Sequence, residues 1–270
     1  MNEAPVPPGL MEMDWAQRWR ALVTTSHVGP MFAGPAGSDR FARLAERFDA
    51  GMRENGRAED PLLPLILPLA RGASVIDVGA GVGRFTLPLA RSAREVVAVE
   101  PSAAMRERLE LHVRERGADN VRILSDPFEA AELEPAELVL CAHVVHFVAD
   151  APAFIRKADA LARRAVAFAI RHDSFEAPLM AVWSRYRKDP PPRQATFADL
   201  YNLLLAMGYT PNVTFYRRAY HLRLPEGVDA RVWLSRAVGE EVSEADARDA
   251  LAAAPPFLRE ACVWWEKEAP

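Results

Sequence analysis

The segment VIDVGAGVGRF, residues 75–85, constrains this chain more than any other. An apolar run reaches Asp77, and Gly79, Gly81 and Gly83 follow at GxGxG spacing before a helical pattern. Glycine at such a turn takes backbone angles that a side chain forbids, and it lets a ligand touch the main chain. The helix that follows aims its unsatisfied N–H groups at the same spot. Strand, glycine loop and helix in this order open a nucleotide-type α/β fold. A Gly-rich connection without a ligand is the competing reading, and the loop alone does not exclude it.

The next strand narrows the choice. VVAVEPS ends on Glu100, about 20 residues after the loop, where a carboxylate can accept both hydroxyls of a ribose. Dinucleotide sites share this layout but want a third glycine three residues after the second. Arg84 stands there, and the glycine falls at Gly83 instead, so the dinucleotide fingerprint is missing.

The chain then alternates. Helical spacing is expected over 61–70, from the loop to about Ser92, and over 102–116, 152–163 and 196–207. Short apolar strands are expected over 74–78, 95–99, 121–124, 137–142 and 166–171. Such alternation gives a parallel sheet with right-handed crossovers and helices on both faces. Pro88 conflicts with a helix starting near Arg84, so the first turn is irregular or the helix starts later. Beyond 172 the pattern loosens. A strand or bent hairpin over 213–224, short surface helices over 228–238 and 243–253, and a last strand over 261–265 are expected.

In front of this lie two amphipathic helices, one from Met13 to about Thr24 carrying Trp15 and Trp19. The other, capped by Ser38-Asp39, carries Phe41, Leu44, Ala45, Phe48 and Met52. Residues 1–10 read as a loose Pro-rich tail and 26–37 as a loop. The expected division is an N-terminal helical cap or tail over 1–56 and a main domain over 57–270, with an insert at 173–195. Residues 11–52 and the insert are expected to form a mobile helical cover over the strand ends, hinged at Gly34, Pro35, Gly37, Gly51, Gly56 and the prolines 190–192.

Composition excludes several classes. The net charge is −4, and the arginines are interleaved with acids, as in Arg106-Glu107-Arg108-Leu109-Glu110, which describes a solvated helix face and argues against nucleic acid. Cys141 and Cys262 are far apart in apolar runs, with no ligand-spaced partners, so no metal is expected and a reducing cytoplasm fits. No leader pattern and no apolar stretch of about 20 residues is present, so no membrane association is expected.

With these motifs the chain resembles class I S-adenosylmethionine-dependent methyltransferases, of the small-molecule, type 11/25-like branch. The resemblance covers residues 60–172 well and 196–224 more weakly. It implies a Rossmann-like, doubly wound, mostly parallel seven-stranded sheet of order 3-2-1-4-5-7-6, with an N-terminal helical cap and the last strand antiparallel. It implies that Asp77, Gly79, Ala80, Gly81 and Gly83 hold the methionine half of S-adenosyl-L-methionine and that Glu100 holds the ribose. Pro101 and Met105 would flank the adenine, Asp126 and Pro127 would meet its amino group, and Ala142 would lie near the sulfonium. The family often has a histidine directly before the Val at Val148; here Phe147 stands there and His146 one place earlier.

Three histidines stand at strand ends, His143 and His146 after the fourth strand and His172 after the fifth. Each can take a proton near neutral pH, and each can equally be a packed or solvated side chain. His27, His112 and His221 read as surface or structural, and the aromatics Trp15, Trp19, Phe41, Phe48, Trp183, Tyr186, Phe197 and Tyr201 as pocket roof or helix packing. The implied activity is methyl transfer to an O, N or C atom of a small molecule, by a cytoplasmic monomer or homodimer. A protein or RNA methyltransferase and a non-catalytic cofactor-binding partner are the alternatives. The fourth-strand segment lacks the Asn/Asp-Pro-Pro-aromatic run of many base-amino methylases.

Overall fold

A computed structural model describes residues 13–25, 39, 41–55, 60–172, 177–189, 193–219 and 229–267. The strands are β1 Ser74–Val78, β2 Glu95–Val99, β3 Val121–Leu124, β4 Ala136–Ala142, β5 Ala162–Arg171, β6 Asn212–Ala219 and β7 Phe257–Glu266. They form one sheet in the order β3-β2-β1-β4-β5-β7-β6, parallel except where β7 runs between β5 and β6. The expected strand order is therefore present. β1 is buried along its whole length, which explains its unbroken apolar pattern around Asp77.

The helices are α1 Trp15–Thr25, α2 Ala42–Asn55, α3 Leu63–Ala70, α4 Thr86–Ala90, α5 Ala103–Glu115, α6 Ala151–Leu161, α7 Ala177–Tyr186, α8 Phe197–Ala206, α9 Ala230–Val238 and α10 Glu244–Ala252. Two apolar layers sandwich the sheet. One gathers Ile76, Val139, Cys141 and Val166 with Phe154 of α6, Leu203 of α8 and Trp19 of α1. The other gathers Val75, Leu138 and Leu140 with Ile66 of α3 and Leu89 of α4, while Leu109 of α5 packs on Ala98.

Several boundaries differ from expectation, for local reasons. α4 begins only at Thr86, so Pro88 lies in its first turn, where the missing N–H costs nothing. β5 starts at Ala162 rather than 166, because Arg163 and Arg164 are exposed and hide the extended run from an apolar pattern. β7 starts at Phe257 rather than 261, hidden by Arg259 and Glu260. Within the expected insert, α7 forms a third apolar group with α9 and α10, joining Leu179, Val182 and Trp183 to Leu234, Val238 and Ala250. Trp183 is thus a packing residue, and its indole nitrogen donates to Asp189 O at 2.7 Å.

The N-terminal helices pack on the domain in different ways. α1 lies against α6 and α8, and its fully buried Trp19 donates from Nε1 to Val148 O at 2.8 Å. α2 lies against α5, where buried Asp49 meets buried His112 at 2.5 Å. His112 is therefore structural. Ala45 is buried, as its spacing implies, but Phe48 is 49% exposed, at the edge of that face. Residues 1–10 and 26–37, the cap Ser38, the joints Gly34, Pro35, Gly37 and Gly56, the prolines 190–192, the end of the 213–224 strand, His27 and His221 lie outside the described residues.

Candidate active site

The glycine loop joins β1 to α4 at the carboxyl edge of the sheet, where open α/β folds bind ligands. Its glycines answer to different demands. A Cβ on Gly79 would collide with Cγ2 of Val144, so the loop after β4 rests directly on this residue. A Cβ on Gly83 would meet Leu109 Cδ1 at 2.8 Å, so α5 needs glycine there for packing. Gly81, at φ +58, has nothing within 4 Å of its missing Cβ. Its side faces open space, which is the cradle a ligand would fill.

Glu100 closes this cradle. Its Oε2 accepts from Gly81 N at 2.7 Å and its Oε1 from Ser102 N at 2.9 Å. Burial pushes its carboxyl above the usual range; these two bonds oppose the shift and the nearby Asp39 adds to it. Each carboxylate oxygen keeps a further lone pair, so the pair of ribose hydroxyls still finds acceptors. Asp77 is more enclosed. Its Oδ2 accepts from Thr86 Oγ1 at 2.6 Å, and burial raises its carboxyl to about 6, with the charge of Glu100 adding to the shift.

The remaining expected cofactor residues lie at or just beyond the carboxyl ends of β2, β3 and β4. Met105 is buried beside Val82 and Ala45, while Pro101 is exposed at the mouth. Asp126 and Pro127 are exposed in the loop after β3, and Ala142 ends β4. Asp39, just ahead of α2, accepts from Ser102 Oγ at 2.7 Å and from Ala104 N at 3.3 Å. Phe41 meets Phe147 edge-on at 5.8 Å. These contacts lay the start of α2 across the loop edge, an arrangement that the spacing of Ser38-Asp39 reveals only as a cap.

The histidines separate. His143 has φ +61, alone among the described non-glycine residues in being positive. That conformation costs a side-chain-bearing residue about 1–2 kcal/mol. Its Nε2 lies 3.4 Å from Oε2 of Glu260 on β7, and burial holds its ring below the usual histidine range against the pull of Glu260. His146 lies in a short 3-10 turn, its ring 4.1 Å from Phe147. Burial, with Arg171 and His143 nearby, holds it well below the usual range. His172 instead joins an aromatic group, stacked on Phe197 at 6.0 Å and edge-on to Phe215 at 5.4 Å.

Sequence reasoning missed Glu260. Had β7 been extended back to Phe257, period-two alternation would have put Glu260 on one face between the apolar Leu258 and Cys262, an acid inside an apolar stretch. It missed Arg218 and Tyr216 for the same reason, as their β6 positions pair with Leu258 and Glu260 of β7.

A family model described as "Methyltransferase domain" matches residues 76–170. The ubiquinone biosynthesis O-methyltransferase of Methylobacterium sp. (strain 4-46) is 36% identical over 164 residues, 59% of this chain and 62% of that protein. The 23S rRNA (uracil(1939)-C(5))-methyltransferase RlmD of Aeromonas salmonicida (strain A449) is 50% identical over 56 residues, 21% of this chain and 13% of that protein. The chain thus spans less than two thirds of either relative. The crystal structure of YcgJ from Bacillus subtilis aligns at a TM-score of 0.51 and 15% identity, covering 76% of this chain and 97% of that one. TehB from Haemophilus influenzae aligns at 0.50 and 13%, covering 77% and 61%; both show the fold. With the matched domain, the sheet order and the glycine loop closed by Glu100, the chain carries a methyltransferase domain and is similar to class I S-adenosylmethionine-dependent methyltransferases.

Proposed function

We propose that this protein transfers the methyl group of S-adenosyl-L-methionine to a small-molecule acceptor at the carboxyl edge of its sheet. The observation that carries this reading is the carboxylate of Glu100 bonded to Gly81 N beside an open, Cβ-free cradle. The cofactor supplies a methyl group activated on a sulfonium. Asp77 and the loop from Gly79 to Gly83 hold its methionine half, Glu100 its ribose, Pro101 and Met105 its adenine faces, and Asp126-Pro127 the adenine edge. Ala142 and the loop after it border the sulfonium. Catalysis then consists mainly of alignment and exclusion of water, both of which fixed backbone supplies.

An oxygen of a small molecule is the favoured acceptor. The relative matching the longer stretch, 164 residues, is named for O-methylation in ubiquinone biosynthesis. The rRNA enzyme matches over only 56 residues, and a net charge of −4 does not favour a phosphate-rich partner. Among the described residues no helix is long and apolar enough to cross a membrane. The two buried thiols fit a reducing compartment such as the cytoplasm.

Calorimetry tests the cofactor half of this proposal. S-adenosylhomocysteine should bind with micromolar or tighter affinity, about −8 kcal/mol, and NAD should give no heat. Binding of NAD alone would sink the reading. Release of S-adenosylhomocysteine with a panel of small phenols separates an enzyme from a non-catalytic binder.

A further inference from the structure

Polar side chains meet where β5, β6 and β7 pass the end of β4, and the cofactor cradle uses none of them. Glu260 is fully buried on β7. Its direct cross-strand neighbours are Arg171 on β5 and Tyr216 on β6. Its Oε1 accepts from Arg218 Nε at 2.9 Å and from a second nitrogen of the same guanidinium. Its Oε2 makes no hydrogen bond of good geometry and faces His143 Nε2 at 3.4 Å. His143 stands one residue before Val144, which presses on Gly79 of the cofactor loop.

We infer that Glu260 is a positioning residue that keeps the proton of His143 on Nε2, so that Nδ1 receives the proton of an acceptor whose nucleophilic atom is still protonated when it binds. The inference rests on the methyl-transfer reading and adds the acceptor's chemistry to it. Three observations carry it. The positive φ of His143 breaks the alternation of β4. Continued alternation after Cys141 would send the next-but-one side chain into the layer of Phe154 and Trp19, whereas Glu260 shares its face with Cys262 and the other layer. Arg218 anchors the carboxylate from β6 through two nitrogens of its guanidinium, which favours the ionised acid. Both ring nitrogens of His143 are enclosed and make no hydrogen bond of good geometry; Nε2 has Glu260 Oε2 at 3.4 Å, which leaves Nδ1 for a bound molecule, and the side chain keeps 16% of its surface exposed. An enclosed nitrogen without a partner at the edge of a cofactor loop marks the place where a bound molecule supplies one.

The step balances. The acceptor's X–H bond breaks and its proton goes to Nδ1. The freed electron pair forms the bond to the methyl carbon while the carbon–sulfur pair stays on sulfur as a neutral thioether. The imidazolium sits against Glu260 until it releases the proton to water. Other charges facing the ring are Arg218 on β6, Arg84 of the glycine loop and His146 of the following turn. Arg84 is itself held by Asp60, which accepts from its Nε at 2.7 Å.

Nitrogen-15 imidazole spectra of the full chain saturated with S-adenosylhomocysteine test this, with His143→Asn identifying the signals. Nε2 should resonate as protonated and Nδ1 as a bare, pyridine-type nitrogen. Glu260→Gln should lower the proton affinity of His143 tenfold or more while S-adenosylhomocysteine affinity stays within twofold. A proton on Nδ1 in the wild-type protein, or superimposable His143 titrations in the two proteins, overturns the inference. The wild-type tautomer decides by itself should the variant fail to fold. S-adenosylhomocysteine affinity, measured on the same samples, reports separately on the methyl-transfer reading.

Discussion

Val144 occupies the space that a side chain on Gly79 would need: Cγ2 of the valine stands too close to the place of the missing Cβ for both to fit. This contact locks the loop after β4 onto the loop after β1. Gly79 is also at φ +70, a region that costs a residue with a Cβ about 1–2 kcal/mol. Gly79→Ala should therefore lower stability by about 2 kcal/mol or more and weaken S-adenosylhomocysteine at least tenfold. Denaturant midpoints and calorimetry check it. A variant with wild-type midpoint and affinity would show that the two loops are not packed this way.

Glu100 is expected to matter for ligand more than for fold. Glu100→Ala removes hydrogen bonds to a charged group and should weaken S-adenosylhomocysteine by about 1.5–3 kcal/mol. The variant's melting temperature must be measured beside it, since Gly81 N and Ser102 N lose their partner too. Unchanged affinity in a folded variant would remove Glu100 from the site.

Asp77 predicts a pH dependence. Its folded carboxyl is raised to about 6, so protonation favours the folded, ligand-free protein. That contribution is complete below the ordinary aspartate range and is lost as pH rises through about 6. A bound methionine moiety carries an ammonium group, which favours the ionised acid. Binding near pH 6 should therefore release a fraction of a proton and tighten as pH rises. Calorimetry in buffers of different ionisation enthalpy measures this. Asp77→Asn should abolish the release; proton uptake in the wild-type protein would contradict the assignment.

The cover expected from the sequence becomes narrower once its contacts are known. Trp19 is fully buried in the main core, so α1 should resist hydrogen exchange with or without ligand. α2 rests on the cradle instead, through Ala45 against Val82 and Met105 and through Asp39 on Ser102. Amides of α2 should gain protection when S-adenosylhomocysteine binds, while those of 75–78 stay protected throughout. Ligand-independent exchange in α2 would make it a structural helix only.

What the sequence made legible follows the physics of each element. β1, β2 and β4 are largely buried strands with mostly apolar runs, and the glycine loop between β1 and α4 announces itself. The order of the strands came from family resemblance and not from any pattern in the residues. β5 and β7 were cut short because charged residues stand at their starts. For β7 that shortening stopped one residue from Glu260. The pairing of Asp39 with Ser102, and of Asp49 with His112, joins residues 63 positions apart, and no local period encodes such contacts.

The place of β7 also bears on how the protein is made. β5 and β6 do not pair with each other; each pairs with β7, whose residues 257–266 emerge after all the other strands. While a ribosome is still producing them, β5 carries an open apolar edge and β6 has no neighbour on which to fold. Five parallel strands and their helices can assemble during synthesis, but the sheet closes only when the last strand slides between two that are already present. That late, long-range insertion is the step at which a nascent chain is most open to aggregation and to capture by chaperones.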